Sequence, residues 1–128
     1  MWETDATLAQ RSDLMARYAS AWRAADKVVY SSTVVAPRTT NTRLERHFDP
    51  AVVRDLRADA NKDLLVGGPN LAAQALAARL VDELALLVWP VVLNGRTPAL
   101  PIDMCADLQL IEEHRFGSGL VFLHYRVP

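Results

Sequence analysis

Residues 63–71, Asp63-Leu64-Leu65-Val66-Gly67-Gly68-Pro69-Asn70-Leu71, decide the fold class of this chain. They begin as a short apolar run and end in two glycines, and an alanine-rich helical pattern follows them. Proline suits the first turn of a helix, because its missing N–H would have no partner there. The stretch therefore predicts a buried strand, a tight glycine turn, and a helix whose free N–H groups point back over the strand end.

Such a turn suits an anion. Backbone donors and the helix dipole both favour negative charge at a helix N-terminus. Glycine also lets a ligand approach the backbone with no Cβ in the way. A Gly-Gly pair between a strand and a helix is more often a plain turn, so this pattern leaves both a phosphate site and a plain turn open.

The bulk properties predict one soluble domain over residues 1–128. Half of the 128 residues are apolar and the net charge is −1, so nothing attracts the chain to nucleic acid or to a membrane surface. The longest apolar run, residues 84–93, is too short to span a bilayer and contains Pro90. The single cysteine, Cys105, excludes an internal disulfide and fits a reducing compartment. We expect a cytoplasmic protein.

Helical and strand patterns alternate along the chain. An amphipathic pattern predicts a helix over residues 4–25, and Asp49-Pro50 provides an N-cap and a first residue for a second helix. Runs of β-branched or apolar residues predict further strands at 27–32, 43–48 and 84–93, the last buried on both faces, and a C-terminal hairpin of 108–115 with 120–127.

This order predicts the α/β class. Strands that alternate with helices favour right-handed crossovers and a mostly parallel sheet, and the C-terminal hairpin adds an antiparallel edge. We therefore expect a three-layer sandwich with helices on both faces of the sheet.

Two strand ends carry candidate binding residues, because ligands of such sheets lie outside the carboxyl ends of the strands. Ser31-Ser32-Thr33 offers hydroxyls, and Gly67-Gly68 offers bare backbone donors. Together they could hold two phosphate groups of one dinucleotide. For a ligand with a 2′-phosphate, the hydroxyls would be donors and Arg38 or Arg43 a nearby charge. This is not the GxGxxG fingerprint, and an ordinary Ser/Thr-rich loop stays open as the alternative.

Other polar residues give weaker signals. Asp82-Glu83 could supply a general acid, but a pair at the start of a strand is more often a cap or an ion-pair partner. His47, His114 and His124 show no metal-ligand spacing and Cys105 has no second ligand nearby, so no metal site is predicted. No catalytic residue can be identified. The three tryptophans are most simply core residues: Trp2, Trp22 and Trp89.

An ordered set of segments resembles a known family. The segments are Lys27-Val28-Val29-Tyr30-Ser31-Ser32-Thr33, then Asp63-Leu64-Leu65-Val66-Gly67-Gly68-x-x-Leu71, then Leu80-Val81-Asp82-Glu83-Leu84 with Pro90-Val91-Val92-Leu93, and finally Phe116-x-x-Gly119-Leu120-Val121-x-Leu123-x-Tyr125. They are similar to the dihydrofolate reductase-like superfamily, in its riboflavin-biosynthesis reductase (RibD C-terminal domain-like) branch. The resemblance covers nearly the whole chain.

The resemblance implies an α/β fold that binds NADPH. It places the glycine pair against the cofactor pyrophosphate and the hydroxyl pair near the adenosine 2′-phosphate. The implied activity is hydride transfer from NADPH to 5-amino-6-(5-phosphoribosylamino)uracil, or to another pyrimidine- or pterin-like substrate. The implied cofactor-binding residues are Ser31, Ser32, Thr33, Gly67, Gly68, Pro69, Asn70 and Leu71.

Two departures from the family pattern add an alternative. Family members usually begin with two strands and a Gly-Arg-x-Thr-Tyr-like turn, whereas this chain starts at Met1-Trp2-Glu3, about where that turn would end. The glycine-rich loop usual after the Pro-Val-Val-Leu strand is Asn94-Gly95-Arg96 here. An N-terminally truncated sheet would leave an apolar edge unpaired, so we expect a homodimer. The alternative is a non-catalytic relative that acts as a dimeric nucleotide-binding or structural protein.

Overall fold

The computed structural model describes residues 12–95, 97–100 and 104–128, and it contains helices together with parallel and antiparallel strands. The elements are α1 (Asp13–Ala24), β1 (Lys27–Tyr30), β2 (Thr42–Glu45), α2 (Pro50–Asp59), α3 (Pro69–Ala77), β3 (Glu83–Val88), β4 (Gln109–Arg115) and β5 (Val121–Arg126). The α/β class is confirmed. The chain divides between Phe48 and Asp49 into two compact units, which are described in turn.

Helix α1 opens the described part of the first unit. The Ser12 hydroxyl accepts a hydrogen bond from the Met15 N–H at 3.2 Å and so caps the helix, and Asp13 in the first turn suits the helix dipole. At the other end, the Lys27 ammonium donates to the carbonyls of Trp22 and Ala25, at 2.8 and 2.9 Å. The Lys27 side chain therefore caps the C-terminus of α1 and connects it to β1. Residues 4–11 of the predicted helix lie outside the described residues.

Strands β1 and β2 form the parallel pair of the first unit. Their register runs from Lys27 opposite Thr42 to Tyr30 opposite Glu45. The Ser31 N–H donates to the Glu45 carbonyl at 3.0 Å and extends the ladder one bond beyond β1. Both strands therefore end at the same edge, as the prediction of parallel strands requires.

Helix α2 begins where the sequence predicts. The Asp49 carboxylate accepts a hydrogen bond from the Ala51 N–H at 2.8 Å, and Pro50 is the first helical residue. Asp49 supplies an acceptor that the helix start otherwise lacks, and Pro50 has no N–H to leave unsatisfied. Further along the second unit, the Arg57 guanidinium lies 2.6 Å from the Asp82 carboxylate, just before β3.

Helix α3 ends in a Schellman motif. The N–H of Leu80 donates to the Ala75 carbonyl and the N–H of Arg79 donates to the Leu76 carbonyl, both at 2.9 Å. Arg79 adopts a left-handed φ of 55° to make this turn. Ala75 and Leu76 are buried and form the inward face of the helix.

The C-terminal strands form an antiparallel sheet in the order β3-β5-β4, so the predicted hairpin is confirmed. Its turn is closed by the Phe116 N–H, which donates to the Leu120 carbonyl at 2.9 Å. Gly119 has a φ of +86° there, and a Cβ at this position would lie 3.2 Å from the Pro90 ring. Parallel pairing among the described strands is confined to β1 and β2.

Two strand predictions were wrong in part. Residues 63–66 are not a strand, since no described backbone group pairs with them, and Leu65 is 95% exposed. The strand predicted at 84–93 ends at Val88, and it is not buried on both faces, because Leu87 and Val88 are 59% and 48% exposed. Apolar residues favour burial, but a strand forms only where a neighbouring backbone takes its hydrogen bonds.

The core prediction was also wrong for the two tryptophans that the structure describes. Trp89 is 63% exposed and Trp22 is 37% exposed, while Trp2 lies outside the described residues. Within the residues that the structure describes, no helix is long and apolar enough to cross a bilayer.

The left-handed Arg79 provides a test of the helix end. Arg79→Gly should raise the free energy of unfolding by about 0.5–1 kcal/mol, because glycine adopts this φ without a Cβ penalty. Arg79→Ala is the matched control, since it removes the side chain but keeps the Cβ. Equal stability of the two variants in urea denaturation would contradict this interpretation.

Candidate functional site

The glycine turn before α3 is built by backbone geometry. Gly68 is the N-cap residue, with φ +89° and ψ 126°, and Pro69 is the first helical residue. A positive φ is open to glycine at little cost, whereas a side chain would be strained there. The first helical hydrogen bond runs from the Ala72 N–H to the Gly68 carbonyl at 2.9 Å. The predicted start of this helix is therefore confirmed.

This helix start lacks the side-chain cap that α1 and α2 have. Ser12 and Asp49 cap those two helices, but Gly68 has no side chain and the first turn of α3 contains no acidic residue. No described residue accepts a hydrogen bond from the N–H groups of Asn70 and Leu71. Two donors and the positive end of the helix dipole are thus available to an anion.

There is room for a ligand over this turn. A Cβ built on Gly67 or Gly68 meets no heavy atom within 4 Å, and residues 67–70 are exposed. The side-chain amide of Gln74 donates to the Asn70 carbonyl at 3.3 Å, which holds the first turn without using its N–H groups. An extended anion such as a pyrophosphate can therefore approach the bare backbone.

The hydroxyl loop, residues 31–34, follows β1 in the first unit. The Ser31 hydroxyl accepts hydrogen bonds from the N–H groups of Thr33 and Val34, at 3.3 and 3.1 Å, and lies 3.4 Å from the Thr33 hydroxyl. Ser31 therefore shapes the loop from within. The side chains of Ser32 and Thr33 are exposed, and they are the groups of this loop best placed to donate to a ligand.

Arg46 is a site residue that the sequence analysis missed. Its Nη1 atom donates to the carbonyls of Ser31 and Val34, at 2.9 and 2.7 Å, so the guanidinium bridges the two ends of the hydroxyl loop. The signal was available: Arg46 directly follows β2, and parallel strands end at the same edge. The predicted Arg43 instead forms an ion pair with Glu45 at 2.8 Å. Among the described residues, no hydrogen bond or ion pair connects Arg38 to the loop.

The predicted binding residues fall into two groups. Ser31, Ser32 and Thr33 lie together in the hydroxyl loop of the first unit. The second group belongs to the turn and first helical turn of the second unit: Gly67, Gly68, Pro69, Asn70 and Leu71. Each group is thus local to its own unit.

The acidic pair before β3 forms ion pairs rather than an isolated acid. Asp82 pairs with Arg57, while the Glu83 carboxylate lies 3.0 Å from the Nε2 atom of His124 and 4.0 Å from the Arg126 guanidinium. The ion-pair alternative for Asp82-Glu83 is thereby confirmed. Among the described residues, no group of three His, Cys, Asp or Glu side chains is arranged to hold a metal ion.

Comparison with known proteins settles the ancestry of the chain. The family model described as the RibD C-terminal domain matches residues 5–122. The chain belongs to this family. The resemblance seen in the ordered sequence segments is thus confirmed, and the match runs across both compact units. No curated protein matches the chain.

Solved structures share the fold. A protein assigned to riboflavin biosynthesis from Shewanella sp. PV-4 superposes with a TM-score of 0.69 at 17% identity, over 95% of this chain and 77% of that one. A pyrimidine reductase-like protein from Corynebacterium diphtheriae NCTC gives a TM-score of 0.55 at 23% identity, over 68% of this chain and 38% of that one. These likenesses confirm the dihydrofolate reductase-like fold expected from the sequence.

The two glycines of the turn should respond differently to a methyl group. Gly68→Ala should lower the free energy of unfolding by about 1–3 kcal/mol, because alanine is strained at φ +89°. Gly67→Ala should stay within about 0.5 kcal/mol of the parent chain, since its Cβ meets open space. Urea denaturation of both variants measures the difference. An equal loss of unfolding free energy in the two variants would show that the turn does not require a positive φ at Gly68.

Proposed function

We propose that this chain binds NADPH and is an NADPH-dependent reductase of the riboflavin-biosynthesis type. The observation that carries the proposal is the uncapped start of α3, where the N–H groups of Asn70 and Leu71 lie beside the bare Gly67-Gly68 backbone. Membership of the RibD C-terminal domain family supports it, because reductases of that family use a nicotinamide cofactor. The substrate would be a small pyrimidine- or pterin-like molecule.

The hydrogen-bond donors of the glycine turn and of the hydroxyl loop would each fit one charged part of this cofactor. The turn of Gly67 and Gly68, with Pro69, Asn70 and Leu71, would bind the pyrophosphate through backbone N–H groups and the helix dipole. Ser31 would shape the hydroxyl loop, and the Ser32 and Thr33 hydroxyls would donate hydrogen bonds to the adenosine 2′-phosphate. Because the family match crosses both units, we propose that residues 1–128 act as one domain.

NADPH, when bound, supplies the hydride. The residues of this chain would bind the cofactor, orient it against the substrate and exclude water, which is the usual part of the protein in such chemistry. The proposed setting is the cytoplasm, where the exposed Cys105 stays a thiol.

A charge placed on the glycine turn tests the proposal. NADPH titrated into the parent chain, followed by nicotinamide fluorescence, should show saturable binding. Gly67→Asp should weaken that binding by about tenfold or more, because its carboxylate would repel the pyrophosphate across the open turn.

Gly67→Asn is the matched control, since it has nearly the same shape without the charge. It should keep most of the affinity. A folded parent chain that shows no saturable NADPH binding would overturn the proposed function. If the two variants lost the same NADPH affinity, the pyrophosphate would not bind at this turn.

A second candidate is a non-catalytic relative that keeps nucleotide affinity. The observation in its favour is that Asp82 pairs with Arg57, while the Glu83 carboxylate lies 3.0 Å from the His124 ring and 4.0 Å from the Arg126 guanidinium. Oxidation of NADPH in the presence of 5-amino-6-(5-phosphoribosylamino)uracil, followed by absorbance, separates the candidates. Binding without turnover would favour the second.

We also propose that the chain is a homodimer. Large apolar side chains are exposed in both units, and two of them, Leu65 and Val92, are almost fully accessible. Contiguous exposed apolar surface is characteristic of protein interfaces, and the outer edge of β4 has no partner strand among the described residues.

Light scattering after size exclusion should therefore give twice the 14.2 kDa mass of one chain. Val92→Glu should shift the mass toward that of one chain, because the dimer would bury a carboxylate without a partner. A folded parent chain that elutes as a monomer at micromolar concentration would refute the dimer.

A further inference from the structure

The Arg46 guanidinium is anchored beside the hydroxyl loop by main-chain atoms. Its Nη1 atom donates to the Ser31 and Val34 carbonyls at 2.9 and 2.7 Å. No described residue accepts a hydrogen bond from Nε or Nη2. The two bonds thus hold the planar guanidinium in place, and its Nε and Nη2 donors stay available.

The charge of Arg46 lacks a counter-ion in the described part of the chain. Three other arginines each lie against a carboxylate: Arg43 with Glu45, Arg57 with Asp82, and Arg126 with Glu83. No described carboxylate pairs with Arg46, and its side chain is exposed. A held guanidinium without a carboxylate is suited to an external anion.

The atoms around Arg46 favour an anion with several oxygens. The Ser31 and Val34 carbonyls would repel an anion, but both already accept from Arg46. Ser32 and Thr33, between them in the loop, present exposed hydroxyl groups. A guanidinium with hydroxyl donors matches a phosphate monoester, which accepts several hydrogen bonds at once.

We propose that Arg46 binds the 2′-phosphate of NADPH and determines the preference of this chain for NADPH over NADH. The inference rests on the proposed function and adds to it the residue that selects the cofactor. Because NADH has a hydroxyl at the 2′ position, Arg46 would contribute to binding of the phosphorylated cofactor alone.

Dissociation constants of NADPH and NADH for the parent chain and for Arg46→Ala test the proposal. The substitution should weaken NADPH binding by about tenfold or more, the size expected for charge-assisted hydrogen bonds, and should change NADH binding by less than about twofold. Arg46→Lys keeps the charge and should recover part of the NADPH affinity. Arg43→Ala is the matched control, because Arg43 is already paired with Glu45. This substitution should leave the ratio of the NADPH and NADH dissociation constants unchanged.

A purely structural Arg46 would give a different result. If it only closed the hydroxyl loop, whose hydroxyls face the same 2′-phosphate, Arg46→Ala would weaken NADPH binding without reducing the dependence of that binding on ionic strength, because no direct charge contact would be lost. That outcome would overturn the inference. An unchanged NADPH-to-NADH ratio would overturn it while leaving the proposed function intact. A parent chain that binds neither cofactor would instead overturn the proposed function, and the inference with it.

Adenosine 2′-monophosphate provides a direct probe of the loop. Its binding to the parent chain, measured by calorimetry against adenosine 5′-monophosphate, should be the tighter of the two and should be lost in Arg46→Ala. Equal binding of the two nucleotides would overturn the assignment of the 2′-phosphate to Arg46.

Discussion

The positive φ of Gly68 is the constraint on which the candidate site depends. At +89° this residue leads from an exposed segment without regular secondary structure into α3, and it has no side chain that could cap the helix. The N–H groups of Asn70 and Leu71 therefore keep their capacity to donate. In the other two helices of the described chain, one N–H of the first turn donates to a capping side chain, Met15 to Ser12 and Ala51 to Asp49. One backbone angle thus separates a potential ligand site from two ordinary helix starts.

The parallel register of β1 and β2 governs the other group of candidate residues, in the first unit. Because Ser31 donates to the Glu45 carbonyl, the residue after Glu45 necessarily lies beside the loop that follows β1. Arg46 occupies that position and bonds both ends of the loop. The hydroxyls and the cation are brought together by strand pairing, although 12 to 15 positions separate Arg46 from the atoms it binds.

Hydrophobicity and burial diverge in this chain. The segments 63–66 and 89–93 are as apolar as core strands, yet Leu65 and Val92 are almost fully exposed, and among the described residues only Ala19, Ala75 and Leu76 are buried apolar side chains. The hydrophobic effect favours the removal of such surface from water wherever a partner surface can cover it. This excess of exposed apolar area is the physical basis for the proposed homodimer.

The sequence by itself determined the family, the α/β class, the starts of α2 and α3, and the C-terminal hairpin. These features depend on local chemistry: proline after an N-cap, glycine where φ is positive, and turn residues between alternating runs. Only the tertiary structure decided that residues 63–66 are unpaired, that Asp82 and Glu83 are bound in ion pairs, and that Arg46 rather than Arg43 holds the hydroxyl loop. Each of these depends on which distant backbone or charge lies within bonding distance, and spacing along the chain does not specify that.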